Sequence, residues 1–139
     1  NKRPPLPFYA TEELTMENKR VIPISTTSEK FYKQVVVLLN PILRLRGKEQ
    51  DVLAQLMYYN NKYKDLDNSI RWKVIMEYDT KTEIQKKLGI SAASMYNNLS
   101  ALRKKGIIVK NKVHPNYLIT PDKEFSLKFK FTINELITG

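Results

Sequence analysis

The sequence predicts an α+β fold: helices leading into a helix-turn-helix and a short β-wing, with an extended N-terminal arm and an extra C-terminal β-strand. Three observations carry this expectation. Residues 80–121 read as helix, tight turn, helix and hairpin, punctuated by Gly89 and Gly106. Apolar residues recur at helical spacing through residues 28–64. Residues 125–133 alternate apolar and polar without a slip, the period of a half-buried strand.

The arm, residues 1–27, opens on Pro4, Pro5 and Pro7, which favour extended backbone, with Phe8 and Tyr9 as candidate anchors. Met16 opens a plausible natural start, which leaves residues 1–15 as an added segment or a genuine extension. Val21, Ile22 and Ile24 around Pro23 suggest an edge strand. In residues 28–45, Phe31, Val35, Leu38 and Ile42 fall at i, i+4, i+7 and i+11, with Ser28 as candidate cap. The run Val35-Val36-Val37 pulls toward strand and Pro41 toward a kink, but helix is the better reading. Residues 48–64 form an amphipathic helix with Val52, Leu53, Leu56, Met57 and the tyrosine-rich 59–63 on its apolar side. A turn at 65–68 precedes a short helical element carrying Ile70, Trp72, Val74, Ile75 and Tyr78, with Asp67 and Asn68 as capping candidates. Tyr58, Tyr59, Tyr63 and Trp72 could stack on bases, but their helical spacing favours core packing.

Thr80 with Glu83 reads as a capping box that opens the next helix, and Ile84 and Leu88 supply its buried stripe. Gly89 permits the positive φ of a tight turn, and Ile90 fills the space between the two helices. Ser91 caps a helix running to Lys105, with Met95, Leu99 and Leu102 facing inward and Gly106 ending it. Residues 107–109 make one wing strand, 111–116 the turn and 117–119 the returning strand. The chain thus divides into an arm (1–27), a domain (28–121) and a strand extension (122–139).

The 139 residues carry a net charge of +10. There is no cysteine, which excludes disulfides and thiolate metal sites and fits a cytoplasmic protein. No apolar run approaches the ~18 residues of a membrane span, so no membrane partner is expected. Between Glu83 and Asp122 there is no acidic residue. That gap holds Lys86, Lys87, Arg103, Lys104, Lys105, Lys110 and Lys112, with His114 beside them. A helix-turn-helix with a wing and no negative charge suits a polyanion, and double-stranded DNA is the expected partner. Ser91, Ala92, Ser94, Tyr96, Asn97 and Asn98 are the candidate groove-facing residues. Asn97 matches an adenine edge, and Ala92 or Ala93 a thymine methyl. Lys86, Lys87, Arg103, Lys104, Lys110, Lys112 and His114 are the candidate phosphate and wing contacts.

Catalysis and metal binding have no support in the pattern. His114 is the single histidine, and the four glycines make no phosphate-cradling loop. Glu49 with Asp51 and Asp65 with Asp67 stand two apart, a spacing that does not share a helix face. No catalytic residue, metal or cofactor is expected.

Three stretches carry a resemblance. Residues 45–56, LRGKEQDVLAQL, resemble the opening helix of winged helix-turn-helix proteins. Residues 84–91, IQKKLGIS, resemble their second helix and turn, and residues 99–108, LSALRKKGII, the recognition helix entering the wing. With Phe31-Tyr32-Lys33 ahead of them, the order is similar to replication-initiator (RepL-type) and regulator proteins of plasmids and phages. The resemblance covers residues 30–121. It implies a winged helix-turn-helix domain that binds duplex DNA in transcription regulation or replication initiation. One departure is plain: the recognition helix opens SAASMYNN and has no cation before Arg103, whereas that family often places one near the helix start to reach guanine. The rival expectation is a structural or interaction component of a large assembly, such as a phage particle. On either expectation, a homodimer or larger assembly would form through the N-terminal arm and the C-terminal strand.

Overall fold

The structure, a computed structural model, describes residues 20–135. It is mostly helical, with one small antiparallel sheet. The helices are α1 (Ser28–Leu43), α2 (Gly47–Lys62), α3 (Asn68–Ile75), α4 (Tyr78–Leu88) and α5 (Ala92–Lys104). A hairpin of β1 (Ile108–Val109) and β2 (Lys112–Val113) follows, then a 3-10 turn, Pro115–Tyr117. The arm up to residue 19 lies outside the described residues.

Helix α1 is capped by Thr27, whose side chain accepts the Lys30 N–H at 3.3 Å; the expected cap, Ser28, is the first helical residue. The buried face also differs from expectation. Tyr32, Val35 and Val36 point inward, while Leu38 and Ile42 are 49% and 72% exposed. Residues 34–43 carry no charge at all, so α1 has two apolar faces. Periodicity could not choose between them; packing buries the one that bears Tyr32. Pro41 falls in the last turn, and the helix ends soon after it. Arg44 turns left-handed (φ 56°), and its N–H reaches Asn40 O at 2.7 Å. The Asn40 amide then grips Leu45, donating to its carbonyl at 3.1 Å and accepting its N–H at 2.8 Å.

Helix α2 is the centre of the fold. Val52, Leu53, Leu56, Met57 and Tyr59 are fully buried, and α1, α3, α4 and α5 all pack against it. After it, Arg71 closes the turn. Its guanidinium donates to the carbonyls of Tyr63 (3.1 Å), Lys64 (3.2 Å) and Leu66 (2.8 Å) and to the buried Asn60 side chain (3.2 Å). A cation at the carbonyl end of a helix is well placed. In α3, Trp72 and Ile75 are buried and Ile70 is exposed. Asp67 precedes the helix without a side-chain cap.

The capping box expected at Thr80 is not formed. Only Met76 and Glu77 separate α3 from α4, so α4 starts at Tyr78 and Thr80 lies inside its first turn. The buried Thr80 hydroxyl donates to Val74 O at 2.8 Å instead, and the Glu83 carboxylate accepts the Tyr59 hydroxyl. Tyr78 stands in solvent, not in the core. Helices α4 and α5 end the same way. Gly89 and Gly106 take φ of 65° and 75°, and the following N–H, of Ile90 or Ile107, reaches back to Gln85 O or Leu102 O, each at 3.0 Å. This closure requires a left-handed residue, which glycine adopts without steric cost.

The hairpin is tighter than expected. Lys110 and Asn111 both have positive φ (54° and 62°), the signature of a two-residue turn whose twist matches antiparallel strands. Ile108 therefore pairs with Val113 and Val109 with Lys112. The expected turn at 111–116 and returning strand at 117–119 are corrected. Asparagine tolerates the left-handed region, so the chain reverses early, and Tyr117, Leu118 and Ile119 pack half-buried against the core.

The extra strand at 125–133 is also corrected. Phe125 packs edge-on against Phe31, with ring centres 5.4 Å apart, but the segment joins no sheet among the described residues. Phe129, Phe131 and Ile133 are exposed. Alternation reports a preference for extended backbone; a strand also needs a neighbouring edge. The edge strand expected at 21–24 amounts to one bridging residue, Val21, with Ile22 and Ile24 exposed.

These positions predict a contrast. Leu56→Ala should cost about 2–5 kcal/mol of stability, the usual loss for a buried leucine. Ile70→Ala should change it by less than about 0.5 kcal/mol. Urea unfolding measures both, and equal losses would contradict the orientation of α3.

Candidate nucleic-acid interface

The candidate surface begins at the turn between α4 and α5. Ser91 caps α5 by accepting the Ser94 N–H at 3.0 Å. Met95, Leu99 and Leu102 are buried beneath the helix, which turns Ala92, Ala93, Tyr96 and Asn97 outward. Tyr96 is 66% exposed. The half-buried Asn98 spends its amide within α5, donating to Ser94 O at 2.8 Å and to its hydroxyl at 3.2 Å. Asn97 makes no such bond among the described residues, so it is the amide of the pair that faces outward.

An open groove runs between α5 and the start of α2. Ser91, Ala93, Ser94, Asn97, Asn98 and Ala101 line one wall, and Arg46, Gly47, Lys48 and Glu49 the other. Arg46 and Lys48 were not among the residues expected from sequence. A signal for them existed: cations at a helix start oppose the helix dipole, which is a reason to ask what else they meet. Lys48 Nζ lies 3.5 Å from Leu88 O and 3.9 Å from Asp51.

Glu49 is the acidic member of the groove, and it is buried. Burial alone pushes its carboxyl up, but the Arg46 N–H at 3.0 Å and the Lys105 ammonium at 2.9 Å outweigh it. Its pKa is held below the ordinary glutamate value. The same ammonium donates to Arg44 O at 3.0 Å. One lysine thus ties the end of α5 to the α1–α2 loop and to the first turn of α2.

The other candidate cations divide into two groups. Lys86, Arg103, Lys104 and Lys110 are exposed, and Lys112 is half-buried. Arg103 Nη2 lies 3.5 Å from Asn111 Oδ1, linking α5 to the hairpin turn. Lys87 belongs elsewhere: its ammonium stands 4.6 Å from the Tyr58 ring centre and 4.8 Å from that of Tyr59, with Glu29 at 3.9 Å. His114 is half-buried and accepts the Asn116 N–H at 3.1 Å through Nδ1, capping the 3-10 turn. The tyrosine-rich stretch packs as core: Tyr59 stacks on Tyr63, and burial, with the bond to Glu83, pushes its phenol well above the ordinary value.

Among the described residues, no group of three or more His, Asp or Glu stands close enough to hold a metal ion. No described helix is long and apolar enough to cross a membrane. Comparison with protein-family models, curated proteins and solved structures finds no match.

The Glu49 site predicts a pH effect of defined sign. A carboxyl with a lowered folded-state pKa stabilises the fold fully above the unfolded value, about 4.5. That contribution is lost as pH falls through the folded value. Glu49→Gln should therefore lower the melting temperature at pH 7, and the gap from the parent protein should close as pH drops below 4.5. Thermal melts across this range test it; a gap that stays constant would contradict an ionised, paired Glu49.

Proposed function

We propose that this chain is a winged helix-turn-helix protein that binds double-stranded DNA non-covalently, with α5 in the major groove and the hairpin as a wing on the flanking backbone. The observation that carries this reading is the charge arrangement around α5. No acidic residue occurs between Glu83 and Asp122, and the groove's one carboxylate is already paired with Lys105. Lys86 on α4, Arg103 and Lys104 on α5 and Lys110 in the hairpin turn are all exposed, and Arg46 and Lys48 stand across the groove from α5. A surface cleared of negative charge favours phosphates and steers a duplex toward it.

In this reading the cations contact phosphates and set register, while base identity is read from α5. Asn97 has the outward amide that adenine requires, and Ala92 offers a methyl to thymine. Tyr96 supplies a hydroxyl within reach of the backbone. Lys87 and His114, spent on contacts inside the protein, contribute little. The work is recruitment or control, in transcription regulation or replication initiation, probing DNA in the cytoplasm, and it needs no catalytic group or cofactor.

A second reading has its own observation. The exposed Phe129, Phe131 and Ile133 suit a chain that joins neighbours in a large assembly. Binding to random duplex at several salt concentrations separates the two. DNA binding predicts a steep loss of affinity with salt, and absence of binding at low salt favours the assembly component. Replacing Lys110 and Lys112 together by alanine should weaken binding to every duplex and reduce the salt slope by about 2, since each phosphate contact contributes about 0.9. Asn97→Ala should instead remove about 1–3 kcal/mol of discrimination at one base pair. A uniform loss from Asn97→Ala would place it on the backbone.

A further inference from the structure

His114 is the single histidine of a chain without cysteine, and it stands where the hairpin ends. Its backbone N–H donates to Ile107 O at 2.8 Å, and its ring Nδ1 accepts the Asn116 N–H at 3.1 Å. Pro115 has no N–H, so the Asn116 amide is the first in the 3-10 turn that needs an acceptor, and the ring supplies it. Only a neutral imidazole can do this. One of its nitrogens accepts while the other carries the proton; in the imidazolium both are donors. Rotating the ring brings no relief, since it exchanges one donor for another. Acid therefore opposes the cap.

The surroundings offer a charged ring nothing in exchange. Lys112 lies two residues back and on the same side of the strand, because Val113 between them is buried. Lys110 and Arg103 stand at the hairpin turn, with Arg103 Nη2 at 3.5 Å from Asn111 Oδ1. Lys104 and Lys105 complete the end of α5, the helix that packs on β1, and Lys105 is engaged by Glu49. From the 3-10 turn comes the Tyr117 ring, edge-on with ring centres 6.0 Å apart. None of these groups is a carboxylate, and no acidic residue occurs between Glu83 and Asp122. Among the described residues, no carboxylate pairs with His114. An imidazolium here lacks a counter-charge, and a phosphate is the group that would supply it.

We propose that His114 is a proton-linked phosphate contact: duplex binding at the hairpin draws a proton from water onto the ring, which releases the Asn116 N–H and donates to a phosphate oxygen instead. This rests on the reading of α5 and the hairpin as a duplex-binding surface, and adds its regulation by pH. In the free protein, protonation breaks the cap and gains no partner. In the complex it gains one. The bound state then holds one proton more than the free state, so affinity rises as pH falls. Histidine is the side chain whose charge changes between about pH 5 and 8, which sets the window.

The full chain should bind a short random duplex about tenfold more tightly at pH 6 than at pH 8, with a salt slope larger by about 0.9 at the lower pH. His114→Asn keeps a side-chain oxygen able to accept the N–H two residues on, and does not titrate. It should retain the fold by circular dichroism and lose the difference between the two pH values. The amino terminus, which also titrates near pH 8, is common to both chains. In the free, isotope-labelled chain the Asn116 amide resonance should move with the His114 ring as pH is lowered. A parent chain that binds equally at both pH values overturns the linkage, and so does a pH dependence that His114→Asn retains. An Asn116 amide that stays in place while the ring titrates overturns the cap on which the linkage depends. Absence of duplex binding at every pH sinks the DNA reading and the linkage with it, a result distinct from binding that ignores pH.

Discussion

A helix that four others pack on can neither turn nor slide, and α2 is that helix. Its buried residues leave almost no face for solvent, so α1, α3, α4 and α5 are each positioned by what they bury against it. The outward face of α5 is fixed in this way. Met95, Leu99 and Leu102 must point inward, and Ala92, Tyr96 and Asn97 are left outside. The proposed reading surface follows from core packing, with Ser91 and Asn98 adding hydrogen bonds that hold α5 itself.

Polar groups taken out of water refine this arrangement. Burying a carboxylate is costly unless it is paired and hydrogen-bonded. Glu49 meets both conditions through Lys105 and the Arg46 N–H, and the lysine's second bond, to Arg44 O, adds the α1–α2 loop. Arg71 does the corresponding work at the far end of α2, where its donors meet three backbone carbonyls and Asn60. These contacts select one angle between elements among those that apolar packing would tolerate. For the proposed interface they do more: Lys105 neutralises the acid that lines the groove and is itself engaged by Glu49 and Arg44 O.

Local sequence signals suffice where one residue decides the geometry. Gly89, Ser91 and Gly106 are such positions, and the turn, the α5 cap and the α5 end lie where they point. The failures share a cause: each pattern admitted two structures, and distant packing chose. Thr80 and Glu83 match a capping box, but Val74 O and the Tyr59 hydroxyl claim them. The two apolar faces of α1 are equivalent in periodicity and different in burial. The alternation at 125–133 encodes extended backbone without naming an edge to pair with. At the candidate site, Ser91, Ala92, Tyr96 and Asn97 were legible because they are the complement of a clear core stripe. Arg46 and Lys48 carried only the hint of cations at a helix start; the α5 residues they face lie more than forty positions away in sequence. Lys87 and His114 could not be sorted from other cations until their partners, Tyr58, Tyr59 and the Asn116 N–H, were known.

In the proposed reading a duplex is met by α5, the groove beside it and the hairpin turn. Backbone amide shifts of the isotope-labelled full chain, followed as a short duplex is added, locate the contact directly. The largest changes are expected at Ser91–Asn98, at Arg46–Lys48 and at Lys110–Lys112, with the Tyr58–Tyr63 core and the outward face of α1 little affected. Changes concentrated on the outward face of α1 or on residues 125–133, with α5 unmoved, would contradict this reading.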